Sequence, residues 1–159
     1  MEFLEVIQKR HSVRKFTGQP VDREIIDTII DIAQSAPSSK NTKSSAFMVI
    51  EDPDTLKALS EMRDRGSAFM AGAAAAIVVM GDSSKADLWV ENASISATFI
   101  QLAATALDLG SCWVHVNGRP RSKEDASLGN AEDYVKELLG IKDGYRVLCV
   151  VALGYEEII

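Results

Sequence analysis

Four short apolar runs, AFMVI at 46–50, AAIVVM at 75–80, SCWVHV at 111–116 and YRVLCVVALG at 145–154, are separated by stretches with helical spacing. This alternation limits the fold more than any other feature, because strands that alternate with helices must share a sheet that the helices cover. AFMVI lies between a Ser-rich loop and Asp52-Pro53-Asp54, which is how a buried strand running into a turn reads. Residues 2–9 place Phe3, Val6 and Ile7 on one helical face. Asp22 opens a second helix, in which Ile25, Ile26, Ile29, Ile30 and Ala33 recur at helical spacing, and Pro37 ends it. Asp54 is expected to cap a helix reaching about Met62, and Asn130 a short one before the last strand. A long helix is expected from about Ala86 to Leu109, with Gly110 as its C-terminal cap. No linker, repeat or low-complexity tract interrupts the pattern, so residues 1–159 are expected to form one layered α+β or α/β domain.

Charge and composition remove whole classes of function. A formal net charge of −6 argues against a chain-wide attraction to nucleic acid or anionic lipid. The longest apolar run, FMAGAAAAIVVM at 69–80, falls short of the roughly 20 residues that a membrane span needs. Glu2 and Glu5 stand where a secretory signal would be basic, so the expected location is cytoplasmic. Cys112 and Cys149 sit in apolar strand-like runs without a C-x-x-C pairing and read as buried free thiols. No metal site is expected: Cys112 and His115 are three apart on a strand, should face opposite ways, and have one other histidine in the chain to join them.

The long helix carries Ala93, Ser94, Ala97, Thr98, Ala104 and Thr105 on more than one face. Such a helix is either a central core helix or one that a second copy of the chain also covers.

Two stretches have the residue types of an anion site. In KRHSVRKF at 9–16, Arg10, Ser12 and Arg14 are spaced by two, so an extended backbone turns all three to one side. Two guanidinium forks and a hydroxyl suit a phosphate, while the alternative is a solvated basic helix end that favours the helix dipole. In SAPSSKNTKSSAF at 35–47, Ser38, Ser39 and Asn41 offer small hydrogen-bonding side chains between a helix and a strand. Taken alone, that loop also reads as an ordinary connection.

The ordered set R-x-S-x-R, A-P-S-S-x-N, L-x-L-G-S-C-W and V-x-A-L-G-Y resembles the nitroreductase family of FMN-dependent oxidoreductases over almost the whole chain. The resemblance implies an α+β fold with a central mixed or antiparallel sheet flanked by helices, in a homodimer with FMN at the subunit interface. It implies that Arg10, Ser12 and Arg14, with His11 beside them, hold the flavin phosphate and ribityl chain. Ser38, Ser39 and Asn41 match the loop that reaches the flavin from the partner subunit. His115 and Val116 match the strand end where the backbone approaches the reactive edge of the ring. The implied reaction is ping-pong: NADH or NADPH reduces the flavin, then an acceptor such as a nitroaromatic or quinone takes its place, with no catalytic side chain required.

Two departures from the family pattern stand out. Lys43-Ser44-Ser45 replaces the usual Gln-Pro-Trp, and His115-Val116 replaces two glycines. Among rival motifs, Ser12-Val13-Arg14-Lys15 fits S-x-x-K but lacks the companion elements of that hydrolase class, and G-x-G-x-x-G is absent. The remaining alternative is a non-catalytic protein that binds FMN or another phosphorylated ligand for sensing or storage.

Overall fold

All four apolar runs become strands in the computed structural model, which describes residues 1–158: β1 is Ser45–Ile50, β2 Ala75–Asp82, β3 Gly110–His115 and β4 Tyr145–Gly154. They form one sheet in the order β1-β2-β4-β3, every neighbouring pair antiparallel. This settles the choice between α+β and a parallel α/β sheet in favour of α+β. The helices are α1 Phe3–Lys9, α2 Arg23–Gln34, α3 Pro53–Ser60, α4 Trp89–Ala106 and α5 Ala131–Leu139.

Side-chain alternation along the strands gives the sheet two buried faces. On one, α4 lays Ala93, Ala97, Ile100 and Ala104 against Ile77, Val79 and Val151, and α2 adds Ile26, Ile29 and Ala33. Small side chains on α4 allow its backbone to approach the sheet closely, which accounts for the alanines read from the sequence. On the other face, Leu56 and Leu59 of α3, Val135 of α5, and Met70 in the short turn Ala68–Gly72 cover Ala76, Val78 and Val150. The register slips between Val79 and Met80, leaving Leu148 as an extra residue in β4. Its carbonyl accepts from the N–H groups of both Val116 and Asn117, each at 3.0 Å, and so holds the chain where it leaves β3. Glu132 of α5 closes the β4 start: it accepts from Arg146 Nε and Nη2 at 2.8 and 3.1 Å and from the Val147 N–H at 3.0 Å. Cys112 and Cys149 are buried free thiols, and burial pushes the Cys149 thiol up.

Three local expectations change. Asp52, not Asp54, caps α3: its carboxylate accepts from the Thr55 N–H at 2.9 Å, and Pro53 takes the first helical position, where a missing N–H costs nothing. The long helix begins at Trp89, after a turn in which Asp82 accepts from the Ser84 N–H and hydroxyl. Gly110 does not cap α4. Asp108 takes the left-handed conformation there, at φ 64°, and Gly110 already belongs to β3. Glycine is required at 110 because the Val13 side chain fills the place of a Cβ, which would lie 2.8 Å from Val13 Cγ2. Gly154, paired with Gly110 across the sheet, receives the Phe16 ring in the same way at 2.7 Å. The two glycines form the floor on which segment 12–16 lies.

Candidate functional site

Segment 10–16 is extended and pinned at both ends. Ser12 bridges to Ser111 at the start of β3, with the Val13 N–H donating to the Ser111 carbonyl at 2.9 Å, and Phe16 bridges to Glu156 beyond β4. With Val13 buried, alternation turns Arg10, Ser12 and Arg14 to the opposite side, as the spacing by two requires. Among the described residues, neither Arg10 nor Arg14 has an acidic partner. Beside Ser12, the buried Ser111 Oγ has no hydrogen-bond partner among those residues. Lys9 pairs with Glu5 at 2.8 Å within α1. His11 faces away from Ser12: its Nε2 meets Glu156 Oε1 at 3.0 Å and its Nδ1 the Lys9 carbonyl at 2.8 Å.

The loop of Ser38, Ser39 and Asn41 is held by a residue that sequence reasoning missed. Asn92, on α4 and only 2% exposed, accepts from the Ser39 N–H at 2.8 Å. Its amide donates to the hydroxyls of Ser39 at 3.2 Å, Thr42 at 3.3 Å and Ser44 at 2.9 Å. This hub supports an unfavourable backbone, since Lys40, Asn41 and Lys43 have φ of 51°, 54° and 48°. Asparagine tolerates that region, but each lysine costs about 1–2 kcal/mol there. The one signal in the sequence was an amide among the small side chains of ENASISA. Ser38, Lys43, Ser45 and Phe47 line a cleft of about 400 Å³ that reaches Ala33 and Ser96.

β3 is an edge strand, and its main chain faces outward at alternate residues. Val13 takes the Ser111 carbonyl from outside while the Val116 N–H donates inward to Leu148, so Ser111, Trp113 and His115 present their main-chain groups to the open edge. Val116 itself is fully buried. The His115 ring stacks on Trp113, at 6.2 Å between centroids and 18° between planes, and its Nδ1 accepts from Trp113 Nε1 at 3.2 Å. Arg63 Nη1 approaches the His115 carbonyl at 3.5 Å, and Arg119 follows in the turn whose N–H donates to the Val116 carbonyl.

The two histidines should titrate on opposite sides of the ordinary value near 6.5. The hydrogen bond to Glu156, then the Lys9 carbonyl and the Glu156 charge, hold His11 above it. Burial, then the charges of Arg119 and Arg63, hold His115 below it. The His11 contact therefore adds stability below the unfolded value and loses it as pH rises through the raised one. Protonating His115 instead costs stability as pH falls from the unfolded value through the lowered one. Imidazole NMR titration of the wild type and of His11→Gln separates the two curves, and coincident midpoints would contradict this geometry.

One chain aligns some of these residues and separates others. Ser12 sits beside Ser111, and His115 is four residues further along the same edge, about 14 Å away. Arg10, Ser12, Arg14 and His115 thus border one edge of the sheet. The Ser38–Asn41 loop precedes β1, the opposite edge. Asn92 holds that loop near the start of α4, whereas α4 ends beside segment 10–14, roughly 20 Å away along the helix.

The sequence pattern of the nitroreductase family matches residues 7–63 and 60–155. The chain belongs to the nitroreductase family. It is similar to an FMN-dependent nitroreductase of Clostridium difficile R20291, with a TM-score of 0.91, 37% identity, and coverage of 98% of this chain and 88% of that one. A protein of Archaeoglobus fulgidus, provisionally named an NADH dehydrogenase/NAD(P)H nitroreductase, is 35% identical over 158 residues, 97% of this chain and 85% of its own length. A structure from Desulfovibrio desulfuricans in complex with FMN shares the nitroreductase fold at a TM-score of 0.80 and 23% identity, over 99% of this chain and 88% of that one. Among the described residues, no helix is long and apolar enough to cross a membrane, and no cluster of His, Cys, Asp and Glu could hold a metal ion.

Proposed function

We propose that this chain is an FMN-dependent oxidoreductase that takes electrons from NADH or NADPH and passes them to a small organic acceptor such as a quinone or nitroaromatic. The observation that carries the reading is the open edge of β3, bordered at one end by Arg10, Ser12 and Arg14 and at the other by His115. The residues fit the cofactor: two guanidiniums without acidic partners among the described residues and an exposed hydroxyl supply the donors that a phosphate takes. Outward main-chain groups at Trp113 and His115 can meet a ring laid along the strand. When bound there, FMN supplies the redox chemistry. The chain's part is to grip the phosphate, fix the ring against β3 and exclude water from it.

The working unit in this reading is a homodimer. The Ser38–Asn41 loop is too far from β3 of its own chain to share its ligand, so it serves the ligand of a second copy. An apolar surface supports that arrangement. Phe3 and Leu4 of α1 are 67% and 73% exposed, although Phe3 shares a helical face with the buried Val6. Beside them, Met1, Val6, Ile32, Phe99, Leu102 and Ala106 line a groove of about 450 Å³. Light scattering should give twice the mass of one chain.

Anaerobic mixing of the FMN-loaded protein with NADH or NADPH tests the function. Loss of the yellow flavin colour, and its return on adding a quinone, is the expected result. A protein that keeps its colour under NADH and NADPH is a flavin carrier. A colourless protein that fails to quench the fluorescence of added FMN overturns the reading.

A further inference from the structure

The end of β3 carries an unusual concentration of donors for a chain of net charge −6. Arg63 and Arg119 have no carboxylate partner among the described residues, whereas Arg65 pairs with Glu124. Arg121, the next cation, is already engaged: it lies 3.9 Å from the Tyr134 ring centre and donates to the Glu61 carbonyl at 2.9 Å. Arg63 is fixed in place, because its own N–H and carbonyl both bond the buried Ser67 hydroxyl, at 3.3 and 3.0 Å. Its Nε, like that of Arg121, is buried without an acceptor among the described residues, a costly state for a guanidinium N–H in a folded chain. His115 completes the set. With Nδ1 accepting from Trp113, the ring carries its proton on Nε2 and is a donor in its neutral form.

Arg63, Arg119 and the neutral His115 ring thus bring three donor groups to this corner, and the two that are charged are positive. We infer that Arg63, Arg119 and the His115 Nε2–H form a subsite for an anionic group, so that the preferred acceptor is a planar aromatic acid bearing a carboxylate. The inference rests on the flavin reading above, which puts the reacting ring along β3 and therefore this corner beside it. Arg63 Nη1 lies 3.5 Å from the His115 carbonyl, and the Arg119 N–H donates to the Val116 carbonyl at 3.1 Å, so both residues stand next to His115, in keeping with its lowered pKa. A glycine pair at 115 and 116 would supply no such donor, so the departure in sequence coincides with the subsite.

The test compares para-nitrobenzoate with para-nitrobenzamide, which match in size and differ in charge. Binding to the oxidised FMN-loaded protein is followed by perturbation of the flavin absorbance, without turnover. The wild type should bind the acid at least tenfold more tightly than the amide at low salt, the preference shrinking as salt rises. Arg119→Gln, on an exposed turn, and Arg63→Gln should each reduce the preference severalfold while leaving FMN content and amide affinity unchanged. Equal affinities in the wild type, or a preference that survives both substitutions, overturns the subsite while the flavin reading stands. A weakening of NADH or NADPH binding alone would assign the cations to the electron donor and also overturn it. Failure to retain FMN at all overturns the flavin reading first.

Discussion

Asn92→Ala is expected to lower stability by about 2–3 kcal/mol and, in the same protein, to loosen the loop that the dimeric reading assigns to the flavin. The amide makes four hydrogen bonds, and the groups it leaves differ in what water can do for them. Ser39 and Thr42 are half-buried and can be rehydrated, but Ser44 is 2% exposed and cannot. Removing the side chain therefore leaves a buried hydroxyl without its donor and opens a void at the N-terminal turn of α4. It also removes what holds Lys40 and Lys43 at positive φ, so the loop is free to relax. Thermal unfolding should move down by roughly 4–12 °C for a chain of this size. Asn92→Asp provides the internal check, because the three hydroxyls can rotate to donate to a carboxylate that lies close to a helix N-terminus. It should recover part of the loss. Equal stability of all three proteins would show that the loop stands without this hub.

The contrast between what the sequence revealed and what it hid follows from range. Strand β4 runs from Tyr145 to Gly154, the limits set by its apolar run, because a strand buried on both faces needs continuous apolar residues and nothing distant. The spacing of Arg10, Ser12 and Arg14 was equally local, and an extended backbone turned it into a shared side. Gly110 was misread because the reason for glycine there is Val13, almost a hundred residues earlier, filling the space above β3. Asn92 was passed over because its partners lie about fifty residues upstream, in a loop whose polar residues looked generic. Arg63 and Arg119 escaped notice for the same reason: each is one cation among many until β3 brings both to His115. That Phe3, Val6 and Ile7 share a face of α1 was legible, but periodicity tells which residues share a side and not what covers that side, and Phe3 and Ile7 are exposed.

Arg14→Ala should weaken FMN binding by roughly 10–100-fold, the loss of one charge-assisted hydrogen bond worth about 1.5–3 kcal/mol. The argument depends on how the side chain is presented. Val13 is locked under the sheet edge by Gly110, and Phe16 by Gly154, so the backbone at 14 is fixed before any ligand arrives. A guanidinium on a fixed backbone loses little freedom on binding, and among the described residues it has no acidic partner whose ion pair must first break. Lys9→Ala is the matched control, since Lys9 is nearby and equally charged but held by Glu5. Fluorescence titration of the stripped proteins with FMN should find Lys9→Ala close to the wild type and Arg14→Ala far weaker, with the gap narrowing at high salt. If both behave alike, the effect is general attraction to a basic surface. If neither changes affinity while the protein stays yellow, the phosphate is gripped away from β3, and the line from Ser12 to His115 is not the one along which the flavin lies.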